Sequence, residues 1–282
     1  MKFKTIYVDV VHFDEPKQQY IHTPYALVEH LLTQARPYTD HITYSLYHDV
    51  NYHPDITRIF HLTKQLNYRF NVEISYLKFL DVLESNLDNS ALARVYFSIE
   101  KLVENGCFDN KNSSKRLYDS VQSLMDHKVK VLINLPFGDP TNYHPHVLDF
   151  ISEIGLDLNN DLWNRGFQIN ISPLLVIQCK QTVSKKELVA PKKIGRCYGC
   201  VTMLGIMQNG NVIPCNHYNG QRIVLGNIFH TLLSEILAGH QFTSISDGFY
   251  KNELVHPVCQ HCPKPRKRLK NKKEVCDKLL LI

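Results

Sequence analysis

The sequence predicts an α/β protein, either a partial (βα)6 barrel or an open parallel sheet, followed by a small cysteine-rich C-terminal domain with a β-hairpin. Apolar, β-branched runs alternate with segments of helical period from residue 5 to about residue 176. Such alternation implies parallel strands joined by helical crossovers. Five of the eight cysteines then fall between residues 197 and 262. We therefore predict two domains, residues 1–182 and residues 183–282.

Composition limits the class of protein. Of the 282 residues, 44% are hydrophobic and 21% are charged, as expected for a globular chain. The sequence shows neither an export signal nor an apolar run long enough to span a membrane, so we expect a cytoplasmic protein without a membrane partner. Because the cytosol keeps thiols reduced, clustered cysteines there favour metal binding over disulfides.

Six strands and five helices are predicted in the N-terminal part. Thr23 is the predicted N-cap of the first helix, with Pro24 at its first helical position. The predicted strands are Thr5–Phe13, His41–Tyr47, Phe70–Tyr76, Ala93–Ile99, Val129–Leu135 and Gly166–Val176. The predicted helices are Thr23–Ala35, His53–Leu66, Leu77–Leu87, Ser113–Lys128 and His144–Gly155. Functional groups are expected where these parallel strands end, as in other α/β proteins.

The C-terminal part has a different pattern. A polar linker, "SKKELVAPKK", leads into it from Ser184. Asn209-Gly210 between apolar residues predicts a β-hairpin, and helical period over His230–Phe242 predicts a helix. The segment "PVCQHC" then ends the fold.

The cysteine spacing predicts a metal site. Cys197 and Cys200 form one CxxC pair, and Cys259 and Cys262 form a second, which is the arrangement of a four-thiolate zinc site. Cys215 adds a fifth thiol at the end of the predicted hairpin. A zinc ribbon needs only four thiols, so a hairpin that ends in a fifth is not explained by zinc. The spacing by itself leaves zinc and iron–sulfur as the two alternatives.

The order of these residues resembles the SPASM and Twitch domains of radical SAM enzymes. The resemblance rests on C-x9-G-x4-C from Cys200 to Cys215, on "LGNI" from Leu225, on "SEIL" and on the closing "CQHC". The six strand–helix units are also similar to the partial barrel of radical SAM enzymes. The resemblance implies one 4Fe-4S cluster, with zinc as the alternative. Its ligands would be Cys215, Cys259, Cys262 and one of Cys197 and Cys200.

Two departures from the family pattern restrict the expected cofactors. A full SPASM domain has further cysteines after its CxxC pair, where this chain has Arg268 and Lys272, so a second cluster is not expected. A radical SAM enzyme has a CxxxCxxC loop after its first strand, whereas the matching segment Asp14–His22 contains no cysteine. We therefore expect no functional S-adenosylmethionine site.

By this resemblance the chain is a degenerate, pseudo-radical SAM protein similar to the SPASM maturases of ATP-grasp-associated systems. The implied role is in ribosomal peptide maturation without radical chemistry. The implied partners are a precursor peptide and a partner maturase such as an ATP-grasp ligase. A zinc-stapled interaction module is one alternative. The other alternative is an enzyme whose rebuilt barrel loops carry the active site. Its candidate residues are His48, Asp49 and His53, and any further catalytic residues are unknown.

Other conspicuous residues receive simpler interpretations. Cys107 and Cys179 are expected to be buried thiols, and Cys276 a free thiol or an exchanged ligand. The run Lys264–Lys273 holds seven basic residues, but no aromatic residues lie between them, which argues against nucleic acid as a partner. His41, His144 and His146 lie at predicted strand ends or loops but match no metal-binding spacing.

Overall fold

A long, mostly parallel sheet organises the chain. The computed structural model describes residues 1–44, 46, 48–85, 91–110, 112–156, 163, 166–179, 190–217 and 222–262. Their strands are β1 Thr5–Val8, β2 Val11–Asp14, β3 Gln19–His22, β4 His41–Tyr44, β5 Arg69–Ile74, β6 Leu92–Ser98, β7 Lys130–Leu135, β8 Phe167–Asn170, β9 Leu175–Cys179, β10 Met203–Ile206, β11 Asn211–Ile213 and β12 Gly226–Asn227. The helices are α1 Tyr25–Ala35, α2 Ile56–Gln65, α3 Leu80–Glu84, α4 Ile99–Glu104, α5 Ser113–Asp126, α6 Pro145–Glu153, α7 Leu233–Ala238, α8 His240–Lys251 and α9 Pro257–Gln260.

Ten of these strands form one sheet in the order β12-β11-β10-β1-β4-β5-β6-β7-β9-β8. The run from β10 to β9 is parallel throughout, and β8, β11 and β12 are antiparallel at its edges. Strands β2 and β3 form a separate hairpin. The predicted fold class is therefore confirmed.

Alternating residues give the sheet an apolar and a polar face. Along β5, for example, Phe70, Val72 and Ile74 are fully buried in the hydrophobic core that the helices share, whereas Asn71 and Glu73 point the other way. We call the second face the concave face, because side chains on strands that are not neighbours interact across it. Tyr7 on β1 interacts electrostatically with Tyr96 on β6, although β4 and β5 lie between them.

Several predicted elements are divided in the structure. The predicted strand Thr5–Phe13 consists of β1 and β2, and the predicted strand Gly166–Val176 consists of the hairpin strand β8 and the start of β9. Apolar composition alone does not reveal these breaks, because both halves of each run are β-branched or aromatic. The predicted helix His230–Phe242 is interrupted at Gly239, which separates α7 from α8.

The predicted N-cap at Thr23 is wrong. The structure places Pro24 at that position without a side-chain cap, and the Thr23 hydroxyl donates instead to the Gln208 carbonyl at 2.8 Å. This bond ties the start of α1 to the C-terminal hairpin, a tertiary interaction that local spacing does not contain. Among the described residues, no helix is both long and apolar enough to cross a membrane.

The cysteine-bearing part extends the main sheet. Strand β10 pairs in parallel with β1 from Thr5↔Met203 to Val8↔Ile206, and β10 and β11 form the hairpin predicted from Asn209-Gly210. Gly210 has φ 82°, the conformation that favours glycine in such a turn. The predicted domain boundary after residue 182 lies outside the described residues and stays a prediction.

Candidate metal centre

Three segments bring cysteines together beside the hairpin. Cys197 and Cys200 precede β10, Cys215 follows β11, and Cys259 lies in α9. Cys200 is fully buried, whereas the other three thiols are half-buried. Cys200 interacts electrostatically with all three, so these four side chains are neighbours.

Backbone hydrogen bonds fix the first CxxC turn against the hairpin. The Cys200 amide donates to the Pro214 carbonyl at 2.9 Å and to the Met203 carbonyl at 3.1 Å. Cys200 itself has φ 58°, a left-handed conformation uncommon for a residue with a side chain. A Cβ atom at Gly199 would lie 2.8 Å from the Pro214 carbonyl oxygen and 3.1 Å from the Cys215 Cβ. Only glycine lets the turn approach Cys215 this closely.

Pairing between residues 193–194 and 253–254 brings the second CxxC pair to the same place. Ile194 forms an antiparallel bridge with Glu253, and the Leu254 amide donates to the Lys193 carbonyl at 2.8 Å. The His256 ring then accepts from the Val258 amide at 3.2 Å, which caps the first turn of α9. Cys259 is thereby carried toward the segment that contains Cys197.

The donor set fits a thiolate-bound metal group. Burial raises the pKa of the Cys200 thiol well above its usual range, and the neighbouring Cys215, Cys259 and Cys197 raise it further. A cation is the natural counter-charge for thiols held together in this way, because metal binding deprotonates them. Among the described residues, no three His, Cys, Asp or Glu side chains form a preassembled site for a single metal ion.

Cys262 has a different immediate neighbour. Its sulfur lies 3.9 Å from Nδ1 of His217, the second residue after Cys215. Both residues are half-buried, so the second CxxC pair presents one thiol toward Cys200 and one toward this histidine. His217 was not predicted as a site residue, although its position two residues after Cys215 could have indicated it.

The remaining cysteines lie elsewhere. Cys107 is buried and its sulfur accepts from the Leu77 amide at 3.4 Å, while the buried Cys179 thiol donates to the Pro136 carbonyl at 3.1 Å. Burial raises the pKa of both thiols. Their predicted role as buried thiols is confirmed. Cys276 and the basic run Lys264–Lys273 lie outside the described residues.

The three residues predicted for a rebuilt active site have separate hydrogen-bond partners. Asp49 accepts hydrogen bonds from Asn51 and from the amide and hydroxyl of Ser75, and burial raises its pKa. The buried His53 contacts the Thr23 carbonyl through Nε2 at 2.8 Å. Both side chains are therefore occupied in holding loops.

His48 has a partner that the sequence did not reveal. Its backbone amide donates to Asp9 Oδ1 at 3.1 Å, and its Nδ1 lies 3.0 Å from Asp9 Oδ2. Asp9 is buried, whereas 27% of the His48 side chain is exposed. Asp9 was hidden within the predicted strand Thr5–Phe13, although an acidic residue between valines was an available signal. His144 and His146 lie near each other on α6, where His146 contacts Asp149.

The comparisons with known proteins agree with this fold and thiol group. Residues 197–263 match the model of the SPASM family, described as an iron-sulfur cluster-binding domain. The chain is therefore an α/β protein with a large, mostly parallel sheet and a segment, residues 197–263, that is similar to SPASM domains, as the sequence predicted. No curated protein sequence matches the chain.

Solved structures share the fold at low sequence identity. BtrN in complex with AdoMet and 2-DOIA is 14% identical with a TM-score of 0.54, and the match covers 96% of this chain and 98% of BtrN. Native anSMEcpe with bound AdoMet and Kp18Cys peptide is 13% identical with a TM-score of 0.50, over 92% of this chain and 86% of anSMEcpe. At these identities the likeness establishes the fold alone.

Proposed function

We propose that this protein is an iron–sulfur protein of ribosomal peptide maturation that performs no radical chemistry. It works in the cytoplasm and binds a precursor peptide, a partner maturase such as an ATP-grasp ligase, or both. One contrast carries the proposal. Three thiols are neighbours of Cys200, whereas the segment after β1 that would hold a catalytic cluster contains no cysteine.

The cysteines would hold one 4Fe-4S cluster. Its ligands would be drawn from Cys197, Cys200, Cys215, Cys259 and Cys262, which the CxxC turn, the hairpin and α9 bring into one region. The cluster's bonds to thiolates would link the hairpin to α9 and contribute folding free energy, as structural metal sites do. The match of residues 197–263 to an iron-sulfur cluster-binding family supports this assignment.

The segment Asp14–His22 supports a protein that performs no radical chemistry. Asp14–His22 forms the end of β2, a turn and β3, so a hairpin occupies the place of a cluster-binding loop. The Tyr20 ring stacks on Tyr52 in the loop after β4, with ring centroids 4.2 Å apart. The hairpin is thereby packed against the C-terminal end of the sheet, where S-adenosylmethionine would have to bind in a radical enzyme.

The polar concave face supports peptide binding. Hydroxyl, amide and charged side chains line it, and these groups are suited to the backbone amides and polar side chains of a peptide. The structure of anSMEcpe, which has this fold, was determined with a bound peptide. Transfer of that ligand class to this chain is part of the proposal.

Purification without air tests the cluster. A brown protein whose visible absorbance bleaches on reduction, with about four iron and four sulfide per chain, is expected for one cluster with four thiolates. A colourless protein with a stoichiometric zinc ion would instead establish the zinc-stapled module. Reductive cleavage of S-adenosylmethionine by the purified protein would contradict the proposed absence of radical chemistry.

Peptide binding requires its own experiment. The peptides encoded by small open reading frames beside the gene are synthesised and titrated against the iron-loaded protein by calorimetry. Saturable binding of one of them, unchanged by S-adenosylmethionine, is expected. Absence of binding by every such peptide and by every neighbouring ligase would overturn the proposed role.

The contact between Asp9 and His48 favours a second candidate, an enzyme with rebuilt barrel loops. A carboxylate that holds Nδ1 of a histidine leaves Nε2 available for proton transfer, an arrangement common in acid–base catalysis. If this candidate is correct, incubation with the bound peptide changes the mass of the peptide, and His48→Gln abolishes the change. A peptide of unaltered mass after incubation with the wild-type protein favours the binding role.

A further inference from the structure

Residues of one register line the concave face across the parallel sheet. Tyr7 on β1 lies opposite Thr43 on β4, which lies opposite Asn71 on β5 and then Arg94 on β6. Arg94 lies opposite Lys130 at the start of β7. These five polar residues share one face of the sheet, opposite the core that the helices share, and Leu132 of β7 is an apolar residue on the same face. A parallel sheet normally has both faces buried under apolar layers, so a polar face calls for a polar ligand.

Charges are separated along this face. Near the C-terminal ends of the strands, Glu73 pairs with Lys101 at 2.6 Å, and the nearby Asp9 and Asp49 also raise the pKa of Lys101. This end carries three carboxylates around one ammonium group. Toward the N-terminal ends the charges are basic, since Arg69 begins β5, Lys130 begins β7 and Arg94 is the third residue of β6 between them. Within the described part of the chain, none of these three cations forms an ion pair with a carboxylate.

Arg94 is held in place without being neutralised. Its Nη1 donates to the Tyr96 hydroxyl at 3.0 Å, and its guanidinium lies 5.7 Å from the centre of that ring. Arg94 and Tyr96 are half-buried, and both interact electrostatically with Tyr7 across the curve of the sheet. Burial raises the pKa of Tyr7 to about 12, so its hydroxyl keeps its proton at neutral pH and is available as a donor.

His41 adds an unsatisfied polar atom beside this group. It lies on β4 and shares the face with Thr43, and the charges of Arg69 and Arg94 help burial to lower its pKa. The Asn71 side chain interacts with the His41 ring, but the buried Nε2 of His41 has no hydrogen-bond partner of good geometry among the described residues. Buried polar atoms normally have a partner, so an atom of this kind indicates that a bound group completes the site.

We propose that Arg94, flanked by Tyr7 and Tyr96, binds a carboxylate of the ligand, so that the concave face selects a peptide with an aspartate or glutamate side chain. The fork of a guanidinium matches a carboxylate through two parallel hydrogen bonds. The separation of charge would also orient the peptide, with its acidic residue toward the N-terminal ends of β6 and β7. This inference rests on the proposed peptide-binding function and names the substrate chemistry of that same site.

Selection from a random peptide library tests this inference. The full-length, iron-loaded protein is the bait, and the enriched peptides are resynthesised with each Asp or Glu replaced by Asn or Gln. We expect enriched peptides to contain an acidic residue, and its amide counterpart to bind about ten- to a hundredfold more weakly, as for loss of a hydrogen bond between charged groups. Arg94→Gln should remove the difference between the two peptides, and Arg94→Lys should restore part of it.

Arg58→Gln is the matched control. This substitution removes one positive charge, as Arg94→Gln does. Arg58 lies on α2, on the outer, helical side of the sheet, where its guanidinium pairs with Asp55. This variant should bind the acidic peptide as the wild type does, and thermal melting should show that all variants are folded. Enrichment of peptides without acidic residues, or equal binding of the acidic peptide by folded Arg94→Gln, would overturn the carboxylate site and leave peptide binding intact. Failure to enrich any peptide would count against the proposed function as well.

Discussion

Cys215 and Cys107 have the same side chain in different surroundings. Cys215 is half-buried beside the buried Cys200, whereas Cys107 accepts a hydrogen bond from the Leu77 amide in the core. Proximity to other thiols, and not burial, therefore distinguishes the proposed metal ligand Cys215 from Cys107.

Cys215→Ser should lose most of its bound iron, because a serine hydroxyl is a poor substitute for a thiolate ligand. Iron content and visible absorbance after anaerobic purification measure the loss. Cys107→Ser is the control and should retain its iron, since the hydroxyl can still accept from the Leu77 amide. Equal iron loss in the two variants would mean that the change acts through misfolding.

Buried histidines should make the protein sensitive to acid. Burial lowers the pKa of both His53 and His41 below the ordinary value of 6.5. In the unfolded chain these rings take up protons first, so the unfolded state binds more protons and stability falls as the pH drops below about 6.5. Each ring contributes a slope of at most about 1.4 kcal/mol per pH unit between its unfolded and folded pKa values.

Denaturant unfolding between about pH 7 and pH 5 measures this slope. His53→Asn should be less stable near neutral pH, because it loses the contact with the Thr23 carbonyl, but its stability should depend less on pH. His127→Asn changes an exposed histidine and should leave the slope unchanged. A slope unaffected by His53→Asn would show that this ring does not contribute.

At the scale of elements, the predictions that proved correct are those that depend only on residues close together in the sequence. The hairpin at Asn209-Gly210 and the helix Ser113–Asp126 follow from turn chemistry and from apolar period, and both are present. The sequence did not reveal α4, because six residues beside a glycine-containing loop give little periodic signal. It also could not reveal the contact between Asp9 and His48, which depends on how two strand ends meet in space.

The turn of the hairpin provides a test at this scale. Gly210 combines φ 82° with close contacts, since a Cβ there would lie 2.5 Å from a ring carbon of Phe229. Gly210→Ala should therefore lower the free energy of unfolding by about 1 kcal/mol or more. Chemical denaturation measures the change. Gly155→Ala is a useful comparison, because φ there is 73° but no atom lies within 4 Å of the added Cβ. Equal losses would assign the whole cost to backbone strain.

At the scale of the whole molecule, the cysteine-bearing part and the barrel share one sheet. Leu204 and Ile206 of β10 are fully buried, and the Phe3 ring contacts that of Phe242 on α8. The Gln34 side chain of α1 also binds backbone groups of Ile228 and Leu233. The two predicted domains are therefore joined by core packing as well as by the chain.

A fragment of residues 1–182 should not fold stably by itself. It would lose β10 and expose apolar side chains of β1 and α1, and each core side chain of this size is worth about 1.5–3 kcal/mol. Circular dichroism during heating and dye binding to exposed apolar surface measure the outcome, with the full chain as control. A cooperative melting transition of the fragment would instead establish an independent N-terminal domain.

The pairing of Thr5 with Met203 also has a consequence for synthesis. Strand β1 cannot acquire β10, one of its two neighbours in the sheet, until the residues between them, 9–202, have been translated. Contacts so distant in sequence slow folding, because a long loop must close before they stabilise anything. During that interval the edge of β1 is open to pairing with other chains. We therefore expect chaperones to bind the nascent protein at this strand during expression.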